Sequence, residues 1–443
     1  MAHGSLVLGL DMSPRPTAAE HGTARSIALV LSGGGARGAY AVGVVAGLHE
    51  VLGGLRGRFD VVTGTSVGAI NAAHLVAHAD EDDLGAAELQ SNWSTLHLPT
   101  HLRPHIRHRQ PLAADHGWAL LDPRPLRKLV LEELPWDRVH ANIASGRIRA
   151  LLASALRIRD GRTVTFGELA PGTGFAATHD PRRDARIGRV TGDEVLASAA
   201  LPLLFQAQRI DDTYYCDGGL RFNTPIAPAI RVGAQDLVVI ALRTGRPAAS
   251  DDIAVERYPR PLFLLGKVLD ALLLDPVDYD LQVLARFNAL LEIMEEAVPP
   301  EALDRIRAVV AAERGLPYRR VRSLVFRPSQ DIGVLAGEYL SAGRRLHHVL
   351  SATDLLLRHV AFLGAHMEAD FISYLLFDGE FARLLIDLGR HDVLDRAGEV
   401  RAFFGEPSRI ADEHAGSITT TSPSVDAPRP TSASGYEGPK TSR

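Results

Sequence analysis

Two short apolar runs near the start of the chain end in glycines and pass at once into a second apolar stretch. Ser26–Ser32 (SIALVLS) leads into Gly33-Gly34-Gly35-Ala36-Arg37-Gly38, and Phe59–Thr63 (FDVVT) leads into Gly64-Thr65-Ser66-Val67-Gly68. Runs of that length bounded by glycine read as buried strands. The stretches Gly38 to Leu52 and Val67 to Ala79 read as helices. Strand, glycine turn, helix, twice over, predicts an α/β fold: a mostly parallel central sheet with helices packed on its faces. Further strands are predicted at Ile148–Ile158, Thr163–Phe166, Thr213–Cys216 and Asp236–Leu242.

Past about residue 250 the texture is mainly helical. Leu281, Leu284, Phe287, Leu291 and Met294 share one face of a predicted helix. Ala369–Leu388 reads as another amphipathic helix, and Val321–Phe326 is one more strand for the sheet. Such stripes are read first as core. From Gly416 to Arg443, 18 of 28 residues are Gly, Ser, Thr or Pro, too little apolar surface to offset the entropy of ordering. The expected organisation is therefore a disordered tail over 1–24, an α/β core over 25–250, a mainly helical extension packed on it over 251–405, and a second disordered tail over 406–443.

The glycine loop at 33–38 exposes backbone N–H groups beside a helix start, which favours negative charge there. Gly33, Gly35 and Gly38 also satisfy G-x-G-x-x-G, so a dinucleotide site must be weighed. That reading needs an acidic residue at the far end of the second strand to hold a ribose. Asp60 sits at the near end instead, and Gly64 occupies the far one. Gly64-Thr65-Ser66-Val67-Gly68 is G-x-S-x-G between strand and helix, the pattern of a nucleophile elbow that projects a serine from the sheet. The bland alternative is a serine that caps a helix.

A nucleophilic serine needs a base. Eighteen histidines are available. His74 and His78 lie four apart on one helix without the glutamate of H-E-x-x-H, and His97, His101, His105 and His108 fall in an Arg- and Pro-containing stretch. None follows a late strand. Cys216-Asp217-Gly218-Gly219 does: a carboxylate at a strand end, fixed by two glycines, or else an ordinary Asp-Gly turn.

Taken in order, the glycine loop, G-x-S-x-G about 30 residues later and D-G-G roughly 150 beyond resemble the patatin-like phospholipase family. ALVLSGGGARGAYAVGVVAGL is similar to that family's opening strand, loop and helix. Ala197–Phe205 (ASAALPLLF) resembles its A-S-x-A-x-P segment, and Asp217-Gly218-Gly219 with Asn223 and Pro225 its D-G-G…N-x-P. The resemblance covers about residues 26–245. It implies a three-layer fold and a hydrolase of lipid carboxylic esters. Ser66 would be the nucleophile and Asp217 its base. The amides of Gly33, Gly34 and Gly35, with Arg37, would hold the oxyanion, while Gly38, Gly64, Gly68, Gly218 and Gly219 shape the turns. It implies no cofactor, and a phospholipid or other acyl lipid as substrate. A non-catalytic lipid-binding protein on the same fold is the alternative. With no histidine in the dyad, the pH–rate profile is expected to lack an essential group near ~6.5.

Composition narrows the rest. There are 48 basic and 53 acidic residues, a formal charge of -5, so no overall field favours nucleic acid. Only Lys128, Lys267 and Lys440 are lysines; such a bias weakens any argument from an arginine cluster alone. The segment His97–Arg109 (HLPTHLRPHIRHR) is either a solvated loop or a contact for anionic headgroups. The single cysteine, Cys216, rules out an intrachain disulfide and a multi-cysteine metal site, and no metal ligands are named. The first residues lack a basic signal-peptide start. Val61–Ala79 carries no formal charge but is too rich in Gly, Thr, Asn and His for a lipid-facing helix. A cytoplasmic location, with transient contact at a membrane surface, is expected; oligomeric state stays open.

Overall fold

β1 (Ile27–Leu31) is apolar throughout and lies between two parallel neighbours, β2 (Val61–Thr65) and β8 (Asp236–Ile240). All three strands are buried almost without break, as a parallel sheet covered on both faces requires. Leu29, Leu31, Val62 and Val238 are at most 1 % exposed, each burial stabilising by about 1.5–3 kcal/mol. In the computed structural model, residues 25–96, 119, 121–202, 204–245, 264, 266–268, 271, 275–342 and 371–405 are described. Both expected tails and the His97–Arg109 segment lie outside them.

Nine strands form one sheet, with β3 (Ala150–Arg157), β4 (Arg162–Leu169), β5 (Arg183–Ile187) and β9 (Arg322–Phe326) completing the order β5-β4-β3-β2-β1-β8-β9. Five of its neighbouring pairs run parallel, and β4 runs antiparallel to β3. The short hairpin of β6 (Gln208–Ile210) and β7 (Thr213–Asp217) joins through β7, which pairs antiparallel with the last part of β3. The sheet therefore extends to the late strand predicted at Val321–Phe326, which lies beside β8.

Helices cover the sheet: α1 (Ala39–Leu52), α2 (Val67–Ala77), α3 (Ala86–Ser94), α4 (Trp136–Ala144), α5 (Gly192–Ser198) and α6 (Ile226–Val232) from the first part of the chain. α7 (Asp275–Ala297), α8 (Pro300–Arg314), α9 (Ile332–Ser341), α10 (Gly379–Leu394) and α11 (Ala397–Phe404) follow. α10 crosses α1 closely enough that a Cβ at Gly43 would stand 2.0 Å from the Ile386 carbonyl, and one at Gly389 would stand 2.3 Å from that of Tyr40. The predicted helix over 369–388 is divided. Residues 371–375 are helical, and α10 starts afresh where the Asp378 carboxylate accepts the Glu380 and Phe381 N–H groups. A side chain that caps a new helix competes with continuing the old one. Among the described residues no helix is long and apolar enough to cross a membrane.

Candidate active site

β2 and β7 occupy the same edge of β3 and meet there end to end. Thr65, the last residue of β2, pairs with Ser154, and Asp217, the last of β7, pairs with the next residue, Ala155. The chain leaving β2 is thus set against the carboxyl end of β7. Ser66 Oγ donates to Asp217 Oδ2 at 2.6 Å.

Sterics at the elbow require its glycines. A Cβ at Gly64 would lie 2.2 Å from the Gly68 carbonyl oxygen, and one at Gly68 would lie 2.4 Å from that of Leu31. Ser66 itself has φ 57° and ψ -130°, a conformation that non-glycine residues rarely adopt. It does not cap α2 with its side chain, which disposes of the capping alternative. The strained backbone is held by Ser198 at the end of α5. Ser198 Oγ accepts the Ser66 N–H at 2.9 Å and donates to the Ser154 carbonyl at 2.6 Å. Two residues on, the Ala200 carbonyl accepts the Asp217 N–H. The A-S-x-A segment, quoted from the sequence only as a matching pattern, therefore supports both halves of the pair. Its signal was the motif; nothing local announced what it touches.

Asp217 is 2 % exposed and Ser66 8 %. Among the described residues each carboxylate oxygen has one partner: Oδ2 accepts from Ser66, and Oδ1 accepts the Gly219 N–H at 2.7 Å. Gly218 passes so close to β3 that a Cβ there would stand 2.2 Å from the Ser154 carbonyl. Burial pushes the Asp217 carboxyl up to about 7, since loss of water outweighs the two hydrogen bonds that favour the charged form. The sequence-based expectation of a pH–rate profile with nothing near ~6.5 is corrected by this shift: a buried carboxyl at about 7 titrates where histidine does. Among the described residues no histidine is hydrogen-bonded to Ser66 or Asp217. Burial, with the charge of Asp217 beside it, raises the Cys216 thiol to about 11, which leaves it inert as a nucleophile.

The glycine loop lies directly against the elbow. A Cβ at Gly33 would be 2.8 Å from that of Ser66. Asn223 grips the loop from both sides, donating Nδ2–H to the Gly33 carbonyl at 3.0 Å and accepting the Gly33 N–H on its own carbonyl at 3.3 Å. Gly34 and Gly35 donate their N–H groups to no other described residue. Gly35 (φ 56°) passes the Tyr374 carbonyl so closely that a Cβ would stand 2.2 Å from it. Arg37 is buried and turned toward the same C-terminal segment: Nε donates to Ser373 Oγ at 2.7 Å, and the guanidinium lies 4.1 Å over the Tyr374 ring. Its backbone N–H donates to Gly34. Ser66, Asp217 and Gly33 thus converge, while Gly34 packs on Leu242 and the contacts of Arg37 with Ser373 and Tyr374 brace the loop. The residues past 250, from which the sequence suggested nothing for the site, supply that brace. Gly38 is pressed against the Val67 side chain, at 2.7 Å for a Cβ.

A cavity of about 570 Å³ among the described residues is lined by neither Ser66 nor Asp217. Arg183, Arg231, Arg314 and Arg319 line it with Asp180, Asp280 and Glu313, and the rings of Phe222, Phe287 and Tyr318. One group of potential metal ligands is present among the described residues, His74, His78 and Glu88, where the sequence reading named none.

The family model for patatin-like phospholipase matches residues 29–230. A cGAMP-activated phospholipase of Pseudomonas aeruginosa is 30% identical over 201 residues, 44% of this chain and 53% of that protein. One from Vibrio cholerae serotype O1 is 28% identical over 227 residues, 48% of this chain and 59% of that protein. The chain thus spans little more than half the length of these curated relatives. The crystal structure of VipD from Legionella pneumophila is similar at a TM-score of 0.27 and 12% identity, over 79% of this chain and 66% of that one. The segment that carries the glycine loop, the elbow and the Asp-Gly-Gly turn, residues 29–230, is thus similar to the patatin-like phospholipase family.

Proposed function

We propose that the protein hydrolyses carboxylic esters of lipids, most directly phospholipid or lysophospholipid acyl groups, through an acyl-serine on Ser66. One observation carries the reading: a serine hydroxyl on a strained elbow, donating at 2.6 Å to a fully buried carboxylate. Ser66 Oγ attacks the ester carbonyl carbon and gives its proton to Asp217. Charge develops on the carbonyl oxygen, which the Gly34 and Gly35 amides receive; the Gly33 N–H is already directed at Asn223. The carbon–oxygen bond to the alcohol breaks, and that oxygen leaves with the proton from Asp217. Water then gives a proton to Asp217 and adds to the acyl carbon, and Ser66 recovers its proton as the fatty acid departs. A carboxyl at about 7 suits both directions of transfer near neutrality. Arg37 is a positioning residue for the loop. Release of fatty acid from phospholipid vesicles by wild type, and none by Ser66→Ala, is the expected outcome. Equal release by the two proteins would end the proposal.

A specific observation favours a regulated enzyme. The relatives are named as activated by cGAMP, and a nucleotide with anionic phosphates and stacking bases suits a cavity lined by four arginines and the rings of Phe222, Phe287 and Tyr318, the arginines outnumbering the three acids Asp180, Asp280 and Glu313. Burial and the neighbouring Arg314 and Arg183 lower the Arg231 guanidinium, so a ligand anion would relieve like-charge crowding. Phe222, which lies under Arg183 at 4.5 Å, also accepts the Thr65 hydroxyl on its carbonyl at 3.1 Å, next to Ser66. Vesicle hydrolysis that rises with cyclic dinucleotide, and no longer does so in Arg231→Ala, is expected. A wild type indifferent to cyclic dinucleotides would remove this second reading and leave the first untouched.

A further inference from the structure

α2 ends in two buried imidazoles, His74 and His78, with rings 4.3 Å apart. Neither has a part in the hydrolysis. Each ring commits one nitrogen to a backbone carbonyl: His74 Nε2 to Gly85 at 3.1 Å and His78 Nδ1 to His74 at 2.9 Å. Carbonyls accept only, so those two nitrogens carry the protons, and in the neutral rings His74 Nδ1 and His78 Nε2 hold the lone pairs. The second of these lies 3.5 Å from Glu88 Oε2 on α3. A lone pair and a carboxylate facing each other repel, so something positive belongs between them: a second proton on His78, or a cation.

Three features favour the cation. One ligand atom from each of His74, His78 and Glu88 lies within 4.8 Å of the others. Two donors held at about 2.0–2.1 Å from a tetrahedral ion stand roughly 3.4 Å apart, close to the 3.5 Å between His78 and Glu88. A metal-bound histidine commonly gives its other N–H to a carbonyl that fixes ring and tautomer, and both rings here do so.

Gly85 shapes the enclosure. Its φ is 69°, and a Cβ there would fall 2.6 Å from the His78 ring. The loop can therefore press onto one imidazole while its carbonyl orients the other. No third ligand for His74 and His78 is legible from the motif, since Leu75 stands where H-E-x-x-H has its glutamate and that glutamate is in any case a base, not a ligand. Here the third ligand comes from the next helix, ten residues beyond His78.

We propose that His74, His78 and Glu88 bind one divalent transition ion of the zinc class, with water completing the coordination, and so clip α2 to α3. Two imidazoles and a carboxylate suit zinc or cobalt over calcium or magnesium. The test is titration of the tag-free, chelator-treated full chain with cobalt(II), read by its visible ligand-field bands, with zinc as displacing competitor. Glu88→Gln is the main variant, since Glu88 is exposed and its loss spares the core; His78→Asn is the second. His101→Ala/His105→Ala controls for binding elsewhere. Expected are one equivalent bound by wild type and by the control, affinity at least tenfold weaker in Glu88→Gln and absent in His78→Asn. A zinc-dependent rise in Tm should occur in wild type and vanish in Glu88→Gln. If wild type binds no more cobalt than His78→Asn, or if Glu88→Gln binds and is stabilised like wild type, the site is refuted and His78–Glu88 is an ordinary protonated ion pair.

Discussion

Thr65 and Asp217 end two strands that run toward each other along one edge of β3, opposite Ser154 and Ala155. The residue after Thr65 is Ser66, so pairing register alone delivers a hydroxyl to a carboxylate across 151 residues of chain. No flexible loop has to find its partner. An elbow and a D-G-G turn fixed by close backbone packing cost no reorganisation when charge develops.

The pH dependence follows from that burial. A base must be ionised to accept a proton, so kcat/KM should rise with pH and level off above about 7. The apparent pKa resembles that of histidine, and temperature separates the two. Ionising a carboxyl absorbs little heat, so its pKa stays nearly constant between 15 and 35 °C (roughly, on general chemical grounds), whereas an imidazolium drifts downward. A pKa that falls clearly with temperature would assign the base to a histidine.

Stability should respond in the opposite sense. Folding raises the Asp217 carboxyl from about 3.9 in an unfolded chain to about 7. The native state holds a proton that the unfolded state has released, so stability declines as pH rises through that window and the loss is complete above it. Asp217→Asn removes this cost while keeping an acceptor for Gly219. Its Tm should exceed that of wild type at pH 8 (about one unit above the shifted pKa), with the gain shrinking as pH is lowered toward that of the unfolded carboxyl. A difference that grows on acidification would contradict the sign.

Ser198→Ala deletes the acceptor for the Ser66 N–H and the donor to Ser154. A buried N–H is left unpaired at a cost of about 1–3 kcal/mol, and the elbow loses its outer support. We expect kcat to fall by about 10–100-fold with KM little changed, as for outer residues that hold a reacting group in place. Steady-state kinetics on a soluble acyl ester measure it. Unchanged kcat in a folded variant would show that the elbow needs no such support.

Arg37→Ala separates brace from oxyanion donor. Loss of its contacts with Ser373 and Tyr374 should lower stability by about 2 kcal/mol, with kcat per folded molecule within about tenfold of wild type. A donor to the oxyanion would cost about 10²–10³ in kcat. Chemical denaturation and kinetics on the same preparation distinguish the two.

The glycines at 33–35, 64, 68 and 218 were legible in the sequence because each answers to a steric demand at one position. β1, β2 and the helices after them were legible for the same reason: apolar runs cut by glycine have few other ways to fold. β5 was not, because RDARI is charged and half-exposed and carries no apolar alternation. Neither the support from Ser198 nor the cover from Ser373 and Tyr374 was legible, since contacts between residues 132 and 336 positions apart leave no local pattern. The break before α10 had a sign in Asp378-Gly379, a capping residue inside an apolar stretch, that the helical stripe overrode.

Ser66 is the side chain that the proposed hydrolysis acylates. Reaction with a fluorophosphonate ester, followed by mass spectrometry of the digested protein, identifies the modified side chain directly. One adduct on the peptide containing Ser66, absent in Ser66→Ala and formed far more slowly in Asp217→Asn, is the predicted result. An adduct on another residue, or labelling of Ser66→Ala at the wild-type rate, would contradict it.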